Sequence, residues 1–139
     1  MSKLNLKGRG PGALLSLGCA ALGVVCLAAY CVYGAVFDYF DTGVCIALLL
    51  AAACAGVYAL AEGKPLGALN LVSAACLSFA LGLFFLNSFP VWADNLNGIT
   101  MYASRGGLAP VVAIAAVMLA CILAEIVSCF LSRGKGDAK

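Results

Sequence analysis

Apolar residues fill four long runs, 12–37, 43–62, 66–87 and 109–132, and polar residues gather between them. Each run reaches the ~20 residues that cover ~30 Å of hydrocarbon. Backbone N–H and C=O groups cannot stay bare in lipid, so each run is predicted to be a helix. Pro11, Pro65 and Pro110 stand at or just inside three of the starts. A missing N–H costs nothing there, because that donor has no partner within the helix. The expected fold is an all-α integral membrane protein, one membrane domain over 1–139. Its spans are 12–37, 43–62, 66–87 and 109–132, with a loop at 88–108 and a tail at 133–139.

The connections set the arrangement. Asp38-Tyr39-Phe40-Asp41-Thr42 joins the first two runs, with Thr42 as the predicted N-cap, and Gly63-Lys64 joins the next two. Links this short make successive helices antiparallel neighbours, which gives an up-down-up-down four-helix transmembrane bundle. Without a hydrophobic drive between helices in lipid, close packing has to hold them, and small residues allow it. Such residues recur every four positions. The second run has Gly43, Ala47, Ala51, Ala55, Ala59 and Gly63; the first has Gly12, Ser16, Ala20 and Ala28; the third has Asn70, Ala74, Ser78 and Gly82; the fourth has Ala116, Ala120, Ala124, Ser128 and Ser132.

The 88–108 loop is the segment with freedom to specialise. Trp92, Leu96, Ile99 and Ala103 share one helical face, Ser88 is the expected cap, and Pro90 suits the first turn. A short amphipathic helix lying on the outer face is expected, running on to Gly106-Gly107 and tolerating Gly98 inside at about 1 kcal/mol. An ordered irregular loop is the alternative. Trp92 and Tyr102 suit an interfacial aromatic belt.

Composition narrows the classes. The chain is 65% hydrophobic and 10% charged, more apolar surface than a soluble globule of this size can bury. A net charge of +2 gives no basis for a nucleic-acid partner. The lipid bilayer is the expected surrounding. Lys3, Lys7 and Arg9 precede the first run, as in a signal peptide, but the run continues to Phe37 and reads as an uncleaved anchor. With Lys64, Arg133, Lys135 and Lys139 against Arg105 alone, both termini are expected on the cytoplasmic side of the plasma membrane.

Candidate chemistry is sparse. Glu125 is the acid set well inside a run, with Asn70, Ser73 and Ser16 expected at similar depth and Glu62 nearer the water. Acids so placed usually face the bundle interior and often mark ion or proton paths. These groups are read either as a polar pocket opening to the cytoplasm or as a structural hydrogen-bonding cluster. Asp38, Asp41, Trp92, Asp94, Asn95, Asn97, Tyr102 and Arg105 gather on the outer side as a candidate ligand or partner site, against the simpler reading of a solvated rim.

There are eight cysteines and no histidine, and no CxxC spacing, so no metal and no cofactor is expected. Cys31 and Cys45 lie in the outer halves of neighbouring helices, where a disulfide is geometrically conceivable, but their depths differ by simple counting and the thiols read as small apolar filling. No nucleophile motif stands out, so no enzyme is expected. The leading functional expectation is an accessory or interaction subunit of a membrane transport or envelope assembly, binding a membrane protein partner or a second copy through the 88–108 loop. The alternative is a small oligomeric transporter or channel using Glu125.

Overall fold

The computed structural model describes residues 9–61, 66–102 and 106–131. Glu62, the 63–65 turn, Arg105, Ser132, the 133–139 tail and the basic residues Lys3 and Lys7 lie outside them. Among the described residues the fold is all-helical, with five helices and no strand. They are α1 (Pro11–Phe37), α2 (Thr42–Leu60), α3 (Gly67–Asn87), α4 (Phe89–Asn97) and α5 (Leu108–Phe130). All but α4 are long and apolar enough to cross a membrane. The main packing partners are α1 with α2, α2 with α3, α3 with α5 and α5 with α1, a square of four around one core. The α4 helix closes one end of that square, touching α3 and α5.

Local chemistry explains the boundaries. Pro11 opens α1. The α2 N-cap is Asp41 rather than Thr42, because the Asp41 Oδ1 accepts from the Gly43 amide at 2.7 Å. A carboxylate there also complements the positive end of the helix. At the other end of α2 the Arg9 guanidinium donates to the Leu60 and Ala61 carbonyls, which have no partners within the helix. The α4 helix stops well short of Gly106-Gly107. It ends at Gly98, whose φ of 65° is left-handed and costs glycine little. Gly98 is a terminator and not an interior residue. Ser88 does not cap α4 with its side chain; its hydroxyl donates instead to the Phe84 carbonyl at 2.7 Å.

The buried residues step by four and three. On α1 the seam runs through Gly12, Ser16, Cys19, Gly23, Cys26, Tyr30 and Tyr33, with Ala13 and Gly34 buried beside it. On α5 it runs through Val111, Ile114, Met118, Cys121, Glu125 and Ser128, with Ala115 and Ile122 beside it. Asn70, Ser73, Leu77, Ala80 and Phe84 follow the same rhythm on α3, as do Val44, Leu48, Ala51, Ala55 and Tyr58 on α2. A period near 3.5 is that of helices packed knobs into holes. It corrects the four-residue rows. In α2 the row Ala47, Ala51, Ala55 and Ala59 is buried. In α1 Ala28 is exposed, in α3 Ser78 and Gly82 are exposed, and in α5 Ala116 and Ala120 are exposed. Four residues turn through more than one full revolution, so such a row drifts ~40° per step and leaves the seam within a few steps.

Close approach is tightest where α1 begins. A Cβ on Gly12 would stand 2.8 Å from the Leu131 carbonyl oxygen and 3.1 Å from that of Ser128. Ser128 Oγ also donates to the Gly12 carbonyl at 2.8 Å. Replacing Gly12 by Ala is expected to destabilise the protein by about 1–3 kcal/mol, the usual cost of overpacking. Gly56→Ala, where nothing lies within 4 Å of an added Cβ, is expected to stabilise α2 by about 0.5–1 kcal/mol. Thermal unfolding of the two variants in detergent measures the contrast.

Candidate functional site

The core cluster is built by all four long helices. Ser16 comes from α1, Asn70 and Ser73 from α3, Glu125 from α5, and all four are fully buried. The α2 helix contributes backbone carbonyls. Ser73 Oγ donates to the Ala51 carbonyl at 3.0 Å, and Ser16 Oγ lies 3.3 Å from the Ala55 carbonyl. Ala51 and Ala55 let these hydroxyls reach the α2 backbone because their own side chains end at a methyl. Among the described residues, none of the four side chains reaches the surface.

Donor counting shows what the cluster needs. Asn70 Nδ2 donates to the Glu125 main-chain carbonyl at 3.1 Å and points to Cys129 Sγ at 3.4 Å, which leaves Oδ1 facing Ser16. Ser16 Oγ is 2.9 Å from Asn70 Oδ1 and 3.2 Å from Glu125 Oε1. A hydroxyl has one hydrogen, an amide oxygen only accepts, and a carboxyl oxygen donates only when protonated. Both short contacts are hydrogen bonds when a protonated Glu125 donates to Ser16 and Ser16 donates to Asn70. A neutral acid also avoids an uncompensated buried charge. Among the described residues, Glu125 Oε2 is buried with no hydrogen-bond partner.

The second candidate cluster sits at the opposite end, where the Asp41 and Asp94 carboxylates turn toward backbone. Asp41 caps α2. Asp38 is the left-handed C-cap of α1, with φ 64°. Asp94, only 7% exposed, accepts from the amides of Met101 and Tyr102 through Oδ1, each at 2.9 Å. That fold-back pins the turn after Gly98 under α4. Asn95 Nδ2 donates to the Val91 carbonyl of its own helix at 3.0 Å, and Asn97 is exposed at the helix end. Trp92 Nε1 donates to Ser88 Oγ at 3.2 Å, and its ring lies 5.5 Å from that of Phe85. Tyr102 meets Phe89 edge-on at 5.5 Å. The expected α4 face is reoriented. Val91 and Asp94 point inward, while Leu96 and Ile99 are exposed.

Three residues beneath this end carry weight that the sequence did not flag. Tyr30 Oη accepts from the Asp41 amide at 2.8 Å and from Asn87 Nδ2 at 3.3 Å, and lies 3.2 Å from the Tyr39 carbonyl. Asn87 Nδ2 also donates to the Tyr39 carbonyl. Tyr33 stacks on Tyr39 at 6.1 Å and meets Phe84 edge-on at 6.0 Å. The signal was present in the polar tips of Tyr30 and Tyr33, which fall on the same seam as Ser16.

Compared with models of known protein families, with curated proteins and with solved structures, the chain finds no match.

Ser16→Ala removes the hydrogen between Asn70 and Glu125. It is expected to cost about 0.6–1.7 kcal/mol, the range for interhelical hydrogen bonds in membrane bundles. Glu125→Gln retains a donor and an acceptor and is expected to unfold close to the parent protein, well above Glu125→Ala; unfolding in mixed detergent micelles ranks the three. At the other end, Asp94→Ala is expected to speed hydrogen exchange of the Met101 and Tyr102 amides by about tenfold or more, since a bond to a charged group contributes roughly 1.5–3 kcal/mol. Asp94→Asn, which retains an acceptor oxygen, is expected to preserve most of that protection.

Proposed function

We propose that this chain is a multi-pass plasma-membrane protein. Its four spans run up-down-up-down, with both termini cytoplasmic and the α4 end facing outward. It acts without catalysis as an accessory or interaction subunit of a membrane transport or envelope assembly. The lipid reading is supported by the outward faces of the long helices, where Val25, Val32, Leu71 and Phe79 are each more than 60% exposed. Soluble proteins rarely display apolar surface on that scale. The distribution of basic residues along the sequence supports the orientation.

One observation carries the interaction role. The α4 unit is a built platform, seated on buried Val91 and braced by Asp94, whose far side displays apolar side chains. Leu96 is 81% exposed, Met101 67% and Ile99 55%. A turn pinned by two backbone hydrogen bonds presents such side chains at little further cost in ordering on binding. A photoreactive amino acid at Leu96 or Ile99, activated in native membranes, is expected to capture a protein neighbour, either a second copy or another membrane protein. Lipid adducts alone, with purified protein that stays monomeric, would sink this role.

The unpartnered Glu125 Oε2 favours a second reading, a small oligomeric transporter or channel in which Glu125 exchanges a proton or binds an ion. Flux of protons or small cations into reconstituted vesicles, abolished by Glu125→Gln, is the outcome that selects it. No flux leaves Glu125 as a structural acid.

A further inference from the structure

Two of the eight thiols meet across a helix interface at the α4 end. Cys31 on α1 and Cys45 on α2 are half-buried, and their sulfurs lie 3.9 Å apart. Counting residues from the turn puts the two at different depths, yet they are level because the linker doubles back. Phe40 lies against Gly34, where a Cβ would be 3.0 Å from the Phe40 Cα, and the Asp41 amide reaches Tyr30 Oη at 2.8 Å. Asp41 therefore starts α2 beside Tyr30, nearly two turns before the end of α1, and Cys45, one turn into α2, comes to rest at Cys31.

We propose that Cys31 and Cys45 are a redox modification site, a reversible disulfide that staples α1 to α2. At 3.9 Å the thiols are in van der Waals contact, and side-chain rotation has to bring the sulfurs to ~2.05 Å. The oxidant is a disulfide, either a protein thiol carrier or a small molecule. One cysteine thiolate attacks it and releases the first carrier thiol, forming a mixed disulfide. The second cysteine displaces the remaining carrier sulfur as the other thiol. Two S–H bonds and the carrier S–S bond are lost; one protein S–S bond and two carrier S–H bonds form. The closed ring contains the whole 38–41 turn. A second contact between two cysteines, Cys19 Sγ to the Cys121 carbonyl at 3.8 Å, is deeply buried, so access favours the Cys31 pair. Oxidation inside cells rests on the outward orientation proposed above, because the cytoplasm keeps thiols reduced. The pairing geometry does not.

The test uses the full chain in native membranes, treated with dipyridyl disulfide, a lipid-permeable disulfide, then alkylated, digested and read by mass spectrometry. Exposed Cys129 reports that the reagent has arrived. The expected result is a Cys31–Cys45 linked peptide, two hydrogens lighter than its parts, reversed by dithiothreitol and absent from Cys31→Ser. Recovery of Cys31 and Cys45 unlinked while Cys129 has reacted overturns the site, as does Cys45 paired with a different cysteine. A pair that links with the reagent but is found wholly reduced in untreated cells upholds the site and counts against the outward orientation.

Discussion

One hydroxyl hydrogen governs how the four long helices meet. Ser16 stands within hydrogen-bonding distance of an amide oxygen, a carboxyl oxygen and a backbone carbonyl from three other helices. It is fully buried, where a mismatch between polar groups is costly. The set satisfies itself only when Glu125 brings a hydrogen of its own. Sliding any one helix along its axis separates partners that have no replacement, and the cluster thus specifies register as well as contributing stability. Apolar packing alone is poor at that task where the seams of α1 and α2 are rich in alanine, glycine and cysteine. The contacts nearby reinforce the same end: Ser128 holds the start of α1, and Arg9 holds the end of α2.

Much of this was legible in the sequence, and the failures have physical causes. The runs could be read because their length and composition leave helix as the only backbone solution in lipid. The meeting of Ser16, Asn70 and Glu125 followed from counting depth along antiparallel helices. Rows of small residues were informative in α2, where Ala47 to Ala59 are buried, and only in part in α1, α3 and α5, where Gly12, Ser16, Asn70, Ala74 and Ser128 are buried and the other described members rotate off the seam. Gly98 was ambiguous by nature. A glycine inside a periodic segment is either a tolerated interior residue or a stop, and the choice depends on Asp94 finding the amides of Met101 and Tyr102, a tertiary event. The roles of Tyr30 and Asn87 were hidden for the same reason, because their partners are backbone groups of a linker whose path the sequence does not spell out.

The two ends of the bundle are built from different materials. The Glu125 end is small, polar and tightly closed. The α4 end is aromatic: Tyr30, Tyr33, Phe37, Tyr39 and Phe84 contact one another in stacked, tilted and edge-on pairs. Rings fill the volume between the helices here, and the Tyr30 hydroxyl reaches the turn backbone. This end supports α4, and Gly106 brings the returning chain against the Phe37 ring.

The doubled-back linker gives the molecule uneven legs. At 27 residues α1 is about 40 Å long, whereas the 19 residues of α2 span about 28 Å. Side by side, they leave α1 standing proud of its neighbour as a ledge, while α2 is the better match to the ~30 Å thickness of hydrocarbon. A bilayer around such spans would meet two heights at once, thickening or tilting on the α1 side. A wedge of this kind favours lipid whose thickness already varies.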